Sequence, residues 1–156
     1  MRGRVVVEPL AWHPGALPGL RVWLEREWPT WYGGGGAGLA EDDLLAFSAA
    51  AGLPFGVVAL CDGRVCGVAA LKAASIASHA HLAPWAAAGL VEPSMRGQGI
   101  GSLLLAALEC RAKEEGFNSI HCATATAESL LLRRGWLLLD RTVHEAHSLG
   151  VYRKTL

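Results

Sequence analysis

The chain has 156 residues, 14 Lys and Arg against 14 Asp and Glu, and a formal net charge of zero. Without a run of like charge it excludes a general nucleic-acid binder, which needs clustered cations facing phosphates. Its length is that of one domain, read here over residues 1–156, and it is long enough to bury a sizeable core.

The N-terminus carries too few apolar residues for a signal-peptide core. No segment approaches the ~20 apolar residues of a membrane span. The four cysteines, Cys61, Cys66, Cys110 and Cys122, form no CxxC pair. Free thiols in a cytoplasmic setting are expected, with a local Cys61–Cys66 disulfide as the alternative.

Residues 4–9 read as a first strand. Apolar positions at Leu20, Val22, Trp23 and Leu24 predict a helix over 19–28, stopped by Pro29. The glycine-rich stretch 29–38 reads as a mobile loop. Trp28, Trp31 and Tyr32 beside it suggest a substrate lid; a plain connector is the other reading. A helix over 40–52 opens with acids that suit its dipole. Two strands over 54–74 turn at Asp62-Gly63, a strong hairpin signal. Residues 83–93 form another strand. A long helix runs over 99–115, capped by Gly116. Then come a strand over 118–125, a short helix over 127–135, and strands over 136–142 and 149–156. The pattern predicts an α/β protein with a mixed sheet and helices packed on it.

Between the strand ending near Pro93 and the long helix lies "RGQGIGS", residues 96–102. Amides at a helix start lack internal partners, and the dipole places partial positive charge there. Gly97, Gly99 and Gly101 let that backbone approach a ligand, and Arg96 adds an anion donor. The stretch reads as a phosphate or pyrophosphate cradle. It lacks the lysine of the Walker pattern, and its G-x-G-x-G spacing departs from the dinucleotide fingerprint. A flexible loop with a chance arginine is the bland alternative.

The stretch resembles the acyl-CoA loop of the GNAT family of N-acetyltransferases, Q/R-x-x-G-x-G/A, at Arg96, Gly99 and Gly101. The resemblance extends over about 54–156. It implies a GNAT-like fold of about seven strands with four helices. It also implies acetyl transfer from acetyl-CoA to a primary amine by direct attack, with no metal. The backbone of Arg96, Gly97, Gln98, Gly99, Ile100, Gly101 and Ser102 would then serve the pyrophosphate. Leu90 and Val91 would pair with the pantetheine arm, and the strand would splay there from its neighbour. The small residues 86–89 suit such a slot, or tight helix packing.

The sequence departs from the family at Leu131, where many members carry a tyrosine as general acid. Tyr32 and Tyr152 do not align with that position. Ser129 is near but a poor acid. For a base, Glu92, His79, His81 and His121 are candidates, each with a plain structural reading. The pairs His79/His81 and His144/His147 have metal-like spacing without a third ligand. A lysine amine near pKa 10.4 needs more help than an α-amine near 8, so a peptide α-amine or small-molecule amine is the expected acceptor. Trp31, Tyr32 and Trp85 are candidate walls for it. A non-catalytic acyl-CoA-binding module of the same fold is the alternative. No nucleic-acid or membrane partner is expected; a homodimer through the terminal strands is compatible with the sequence.

Overall fold

The computed structural model describes residues 4–32, 36–144 and 146–156. Among these residues seven strands form one sheet in the order β1-β2-β3-β4-β5-β7-β6. They are β1 (Val5–Pro9), β2 (Phe55–Cys61), β3 (Arg64–Lys72), β4 (Trp85–Val91), β5 (Ser119–Thr124), β6 (Leu137–His144) and β7 (His147–Thr155). Every neighbouring pair is antiparallel except β4–β5, which is parallel. The β2–β3 hairpin turns where expected. Asp62 and Gly63 have φ of 50° and 83°, the left-handed values a two-residue turn requires.

Five α-helices are present among the described residues: α1 (Leu17–Glu27), α2 (Pro29–Tyr32), α3 (Ala40–Phe47), α4 (Ile100–Glu114) and α5 (Glu128–Arg133). The expected count of four is corrected by α2, a single turn inside the stretch read as a loop. Residues 33–35 of that stretch lie outside the described residues. Gly36 and Gly38 are glycines for packing rather than for motion. A Cβ on Gly36 would overlap the Trp31 carbonyl, and one on Gly38 would overlap the Trp31 indole. Helix α1 starts earlier than expected, with a proline in its first turn, where a missing N–H removes no helical bond. Helix α3 stops at Phe47, short of residue 52, and the Ser48 hydroxyl bonds back to the Leu44 carbonyl at 2.9 Å.

The helices cover both faces. Ile100, Leu104, Leu108 and Ala112 of α4 recur every four residues and bury one stripe against Ala59, Cys66 and Leu71 of the sheet. Burying each of the two leucines fully contributes about 1.5–3 kcal/mol. On the other face, Leu20 and Leu24 of α1 and Leu44 and Phe47 of α3 pack on Val58, Val68 and Leu90. All four cysteines are free thiols. The Cys66 thiol instead faces the Ala59 carbonyl at 3.5 Å, at the irregularity in the β2–β3 ladder. No helix among the described residues is long and apolar enough to cross a membrane.

Candidate active site

Strand β4 is not regular. Val68 pairs with Leu90, but Ala70 pairs with Ala87, so three steps on β4 oppose two on β3. The extra residue is a β-bulge, and Ala88 within it has φ of 54°. On its other side β4 meets β5 in register only at Trp85↔His121. Past that pair the strands part. A cavity of about 550 Å³ opens between them, lined by residues 86–91 of β4, by 122–127, and by Gly101, Leu104, Leu130 and Leu131.

The glycine loop stands at one end of this cavity. Gly99 is the N-cap of α4 with φ of 83°, Gly97 has φ of 79°, and no side chain caps the helix. The amides of Ile100, Gly101 and Ser102 lie in the first turn, where a helix offers them no acceptor. Gly101 lines the cavity itself, and a Cβ there would stand 3.1 Å from Leu130 Cδ2. The Ile100 side chain is buried and anchors the helix start in the core. Arg96 turns away from the amides. Its Nε donates to the Val91 carbonyl at 2.9 Å, and its Nη2 reaches Glu27 Oε2 at 3.4 Å. It thereby links the end of β4, the loop and α1.

A second cavity, of about 470 Å³, lies on the α1/α3 side, lined by Trp28, Trp31, Tyr32, Asp43, Lys72 and Ser75 among others. Trp28, residues 86–88, Ala123, His144 and Leu149 line both cavities, so the two adjoin at the bulge. The Tyr32 hydroxyl donates to Asp43 Oδ2 at 2.6 Å. Burial, and then that bond to a carboxylate, push the phenol well above its usual range, so it stays protonated.

The remaining candidates from the sequence stand elsewhere. Glu92 lies beyond the end of β4, paired with Arg64 at 3.6 Å, and lines neither cavity. Ser129 is exposed on α5. His121 is buried with its Nδ1 3.2 Å from the Pro84 carbonyl, and burial lowers its pKa, so the ring is neutral and Nδ1–H donates. Trp85 is corrected from acceptor wall to core: it is fully buried, donates its indole N–H to the Leu82 carbonyl at 2.7 Å, and lines neither cavity. His79 is held by Asp140 at 2.9 Å and by Ser78 at 2.8 Å. Leu131, where the tyrosine was expected, is buried on the first cavity's wall.

His144 lines both cavities, whereas the sequence marks it only as half of a histidine pair. The stretch 143–148 has no Gly, Pro, Asn or Asp to mark a tight turn, and the strands run past the expected ends at 142 and 149. Among the described residues no group of three or more His, Cys, Asp or Glu is placed to hold a metal ion.

The splayed parallel pair, the bulge and the uncapped glycine loop are those of an acyltransferase fold. The model of the acetyltransferase (GNAT) family matches residues 17–136, and the chain belongs to that family. Its fold is shared by an aminoglycoside 6'-N-acetyltransferase solved with coenzyme A, at 12% identity and TM-score 0.77, covering 96% of each chain. A GCN5-related N-acetyltransferase from Kribbella flavida aligns at 22% identity and TM-score 0.74, over 97% of this chain and 98% of that one. The yncA protein of Salmonella typhimurium, solved with its cofactor acetyl-CoA, aligns at 15% identity and TM-score 0.71, over 97% and 93%. No curated protein matches the sequence significantly.

Proposed function

We propose that the protein transfers an acetyl group from acetyl-CoA to a primary amine. The observation that carries this reading is the meeting of two cavities at the β4 bulge, one running to an uncapped glycine loop and the other walled by aromatic side chains. The residues present fit the group. Free amides over 97–102 would hold the pyrophosphate, and the backbone of Leu90 and Val91 would face the pantetheine arm. Structural relatives solved with coenzyme A or acetyl-CoA support the same choice of ligand. Acetyl-CoA supplies an acetyl group activated as a thioester.

The amine would approach from the second cavity. Ala86 to Ala88 leave room for it on β4, and Trp28 closes one side of the junction. Among the described residues His144 is the titratable group that lines both cavities, and it would accept the proton that the amine sheds. Cys122 also lines the first cavity, but burial pushes its thiol up to about 12. A neutral thiol is a poor nucleophile, which favours direct attack over an acyl-enzyme.

A second reading, an acyl-CoA-binding module without turnover, is favoured by one observation. The wall position of the usual tyrosine is occupied by Leu131, which has no hydroxyl. The two readings separate by experiment. Acetyl-CoA at ~100 times its Kd adds about 2.7 kcal/mol of stability, or roughly 5–10 °C in Tm for a domain this size. ATP is the control, and Gly101→Glu should abolish the shift. Release of free thiol with an amine panel then marks the transferase, and a shift without release marks the module. No shift in folded wild-type protein would overturn both.

A further inference from the structure

We infer that the second cavity takes an acceptor bearing a carboxylate beside its amine: an amino acid with an apolar or aromatic side chain. The inference rests on the acetyl-transfer reading above. The walls are apolar and aromatic, with Trp28 and Trp31 set edge-on to Tyr32 at centroid distances of 6.5 and 6.4 Å. Such walls suit an apolar side chain of the acceptor.

Two charged side chains line the cavity, and they differ in what they have left to offer. Asp43 already accepts the Tyr32 hydroxyl. Lys72 is half-buried at the end of β3 and makes no ion pair among the described residues. An ammonium group removed from part of its water, beside apolar walls, is short of an anion.

The position of Lys72 sets how far that anion stands from the reacting amine. Ala70 pairs with Ala87 at the junction of the cavities, and Lys72 lies two residues further along the same face of β3. That is about 7 Å at 3.3–3.4 Å per residue. The flexible four-carbon stem of a lysine can return over much of this distance. A carboxylate one carbon from an amine at the bulge is therefore within its reach. A polycationic acceptor would instead bring a further ammonium against Lys72.

The test uses the whole protein with acetyl-CoA and matched acceptor pairs, read by free-thiol release. The pairs are L-phenylalanine against phenethylamine, L-leucine against isoamylamine, and L-methionine against 3-(methylthio)propylamine, with kanamycin as a polycation. The amino acids should exceed their decarboxylated partners in kcat/KM by about tenfold or more, the scale of a charge-assisted hydrogen bond. Lys72→Met should lower kcat/KM for the amino acids by about tenfold more than for their decarboxylated partners, and Lys72→Arg should keep the preference. A readout without turnover accompanies this: N-acetyl-L-phenylalanine should raise the Tm of wild type and not of Lys72→Met. Equal rates within pairs, preference for the simple amines or kanamycin, or an equal loss on both members in Lys72→Met would overturn the inference and leave the transferase standing. No thiol release above the acceptor-free background with any acceptor would overturn the transferase reading and this inference with it.

Discussion

Arg134 donates to the Ser102 hydroxyl at 3.0 Å, tying the residue just past α5 to the first turn of α4. The same guanidinium grips Glu109 with two further bonds of 3.0 and 2.9 Å. Seven residues along α4 from Ser102, Glu109 also receives Trp136 Nε1 at 3.1 Å and Lys154 Nζ at 2.8 Å. The helix that presents the glycine loop is thus fixed to β7 and to the start of β6 through one buried carboxylate.

Burial alone would raise the Glu109 pKa, but the bonds from Arg134, Lys154 and Trp136 outweigh it and hold the carboxyl below its usual range. A depressed carboxylate contributes stability above its unfolded pKa, near 4.5, and loses that contribution as pH falls through the lower folded value. Glu109→Gln is expected to lower stability at pH 7 by about 3 kcal/mol, since it leaves Arg134 and Lys154 without their anion. That is a Tm fall of roughly 6–12 °C. Calorimetry from pH 7 downward checks it. The gap between variant and wild type should close below the carboxylate range, and a gap that stays constant would refute the argument.

The Tyr32–Asp43 bond carries a prediction at the other end of the pH scale. The Tyr32 pKa is raised by burial and then by Asp43. A raised pKa contributes stability fully below the unfolded value of 10.0, and loses it as pH rises through the folded one. Tyr32→Phe should destabilise by about 1.5–3 kcal/mol at neutral pH, the range for a bond to a charged group. Above pH 10 wild type should lose that advantage while the phenylalanine variant does not. Thermal melts across pH 7 to 11 would show it.

The elements with strong local chemistry were legible in the sequence. Asp62-Gly63 specified its hairpin, the four-residue apolar repeat from Ile100 to Ala112 specified α4, and the family of the chain followed from Arg96, Gly99 and Gly101. What was not legible depends on distant contacts. The turn of α2 is held by Tyr32 reaching Asp43 and by Gly38 lying under the Trp31 indole, neither of which a local window shows. The β6–β7 strands continue to His144 and His147 through a turn in which Ala146, not a glycine, takes φ of 66°. Without such a signal the sequence marks His144 only as half of a histidine pair. The place of Trp85 is set by burial with Ile76 and Val151 and by its bond to the Leu82 carbonyl, neither of which the sequence displays.

Gly99 separates backbone strain from ligand contact. Its φ of 83° is left-handed, yet no atom lies within 4 Å of where a Cβ would stand. Gly99→Ala therefore meets no clash and carries only the left-handed penalty, about 1–2 kcal/mol. The expected Tm fall in the unliganded protein is roughly 2–8 °C. A larger fall would mean that the loop is packed more tightly than the geometry allows.

His144 carries the prediction closest to the chemistry. Several groups line the junction and the first cavity, but few can take a proton. Thr124 and Thr126 are alcohols, Cys122 is a neutral thiol, Leu131 has replaced the usual phenol, and His147 lines the first cavity but not the second. Asp43 belongs to the second cavity and is engaged by Tyr32. Glu92 and His121 line neither cavity. His144 lines both, and an imidazole can accept a proton from an attacking amine and release it to solvent. His144→Gln keeps a polar side chain of similar reach without the base. It is expected to lower kcat by about a hundredfold, the lower end for a positioned proton acceptor, with little change in the acetyl-CoA Tm shift. An undiminished rate in His144→Gln would mean that the amine sheds its proton to water or to another group.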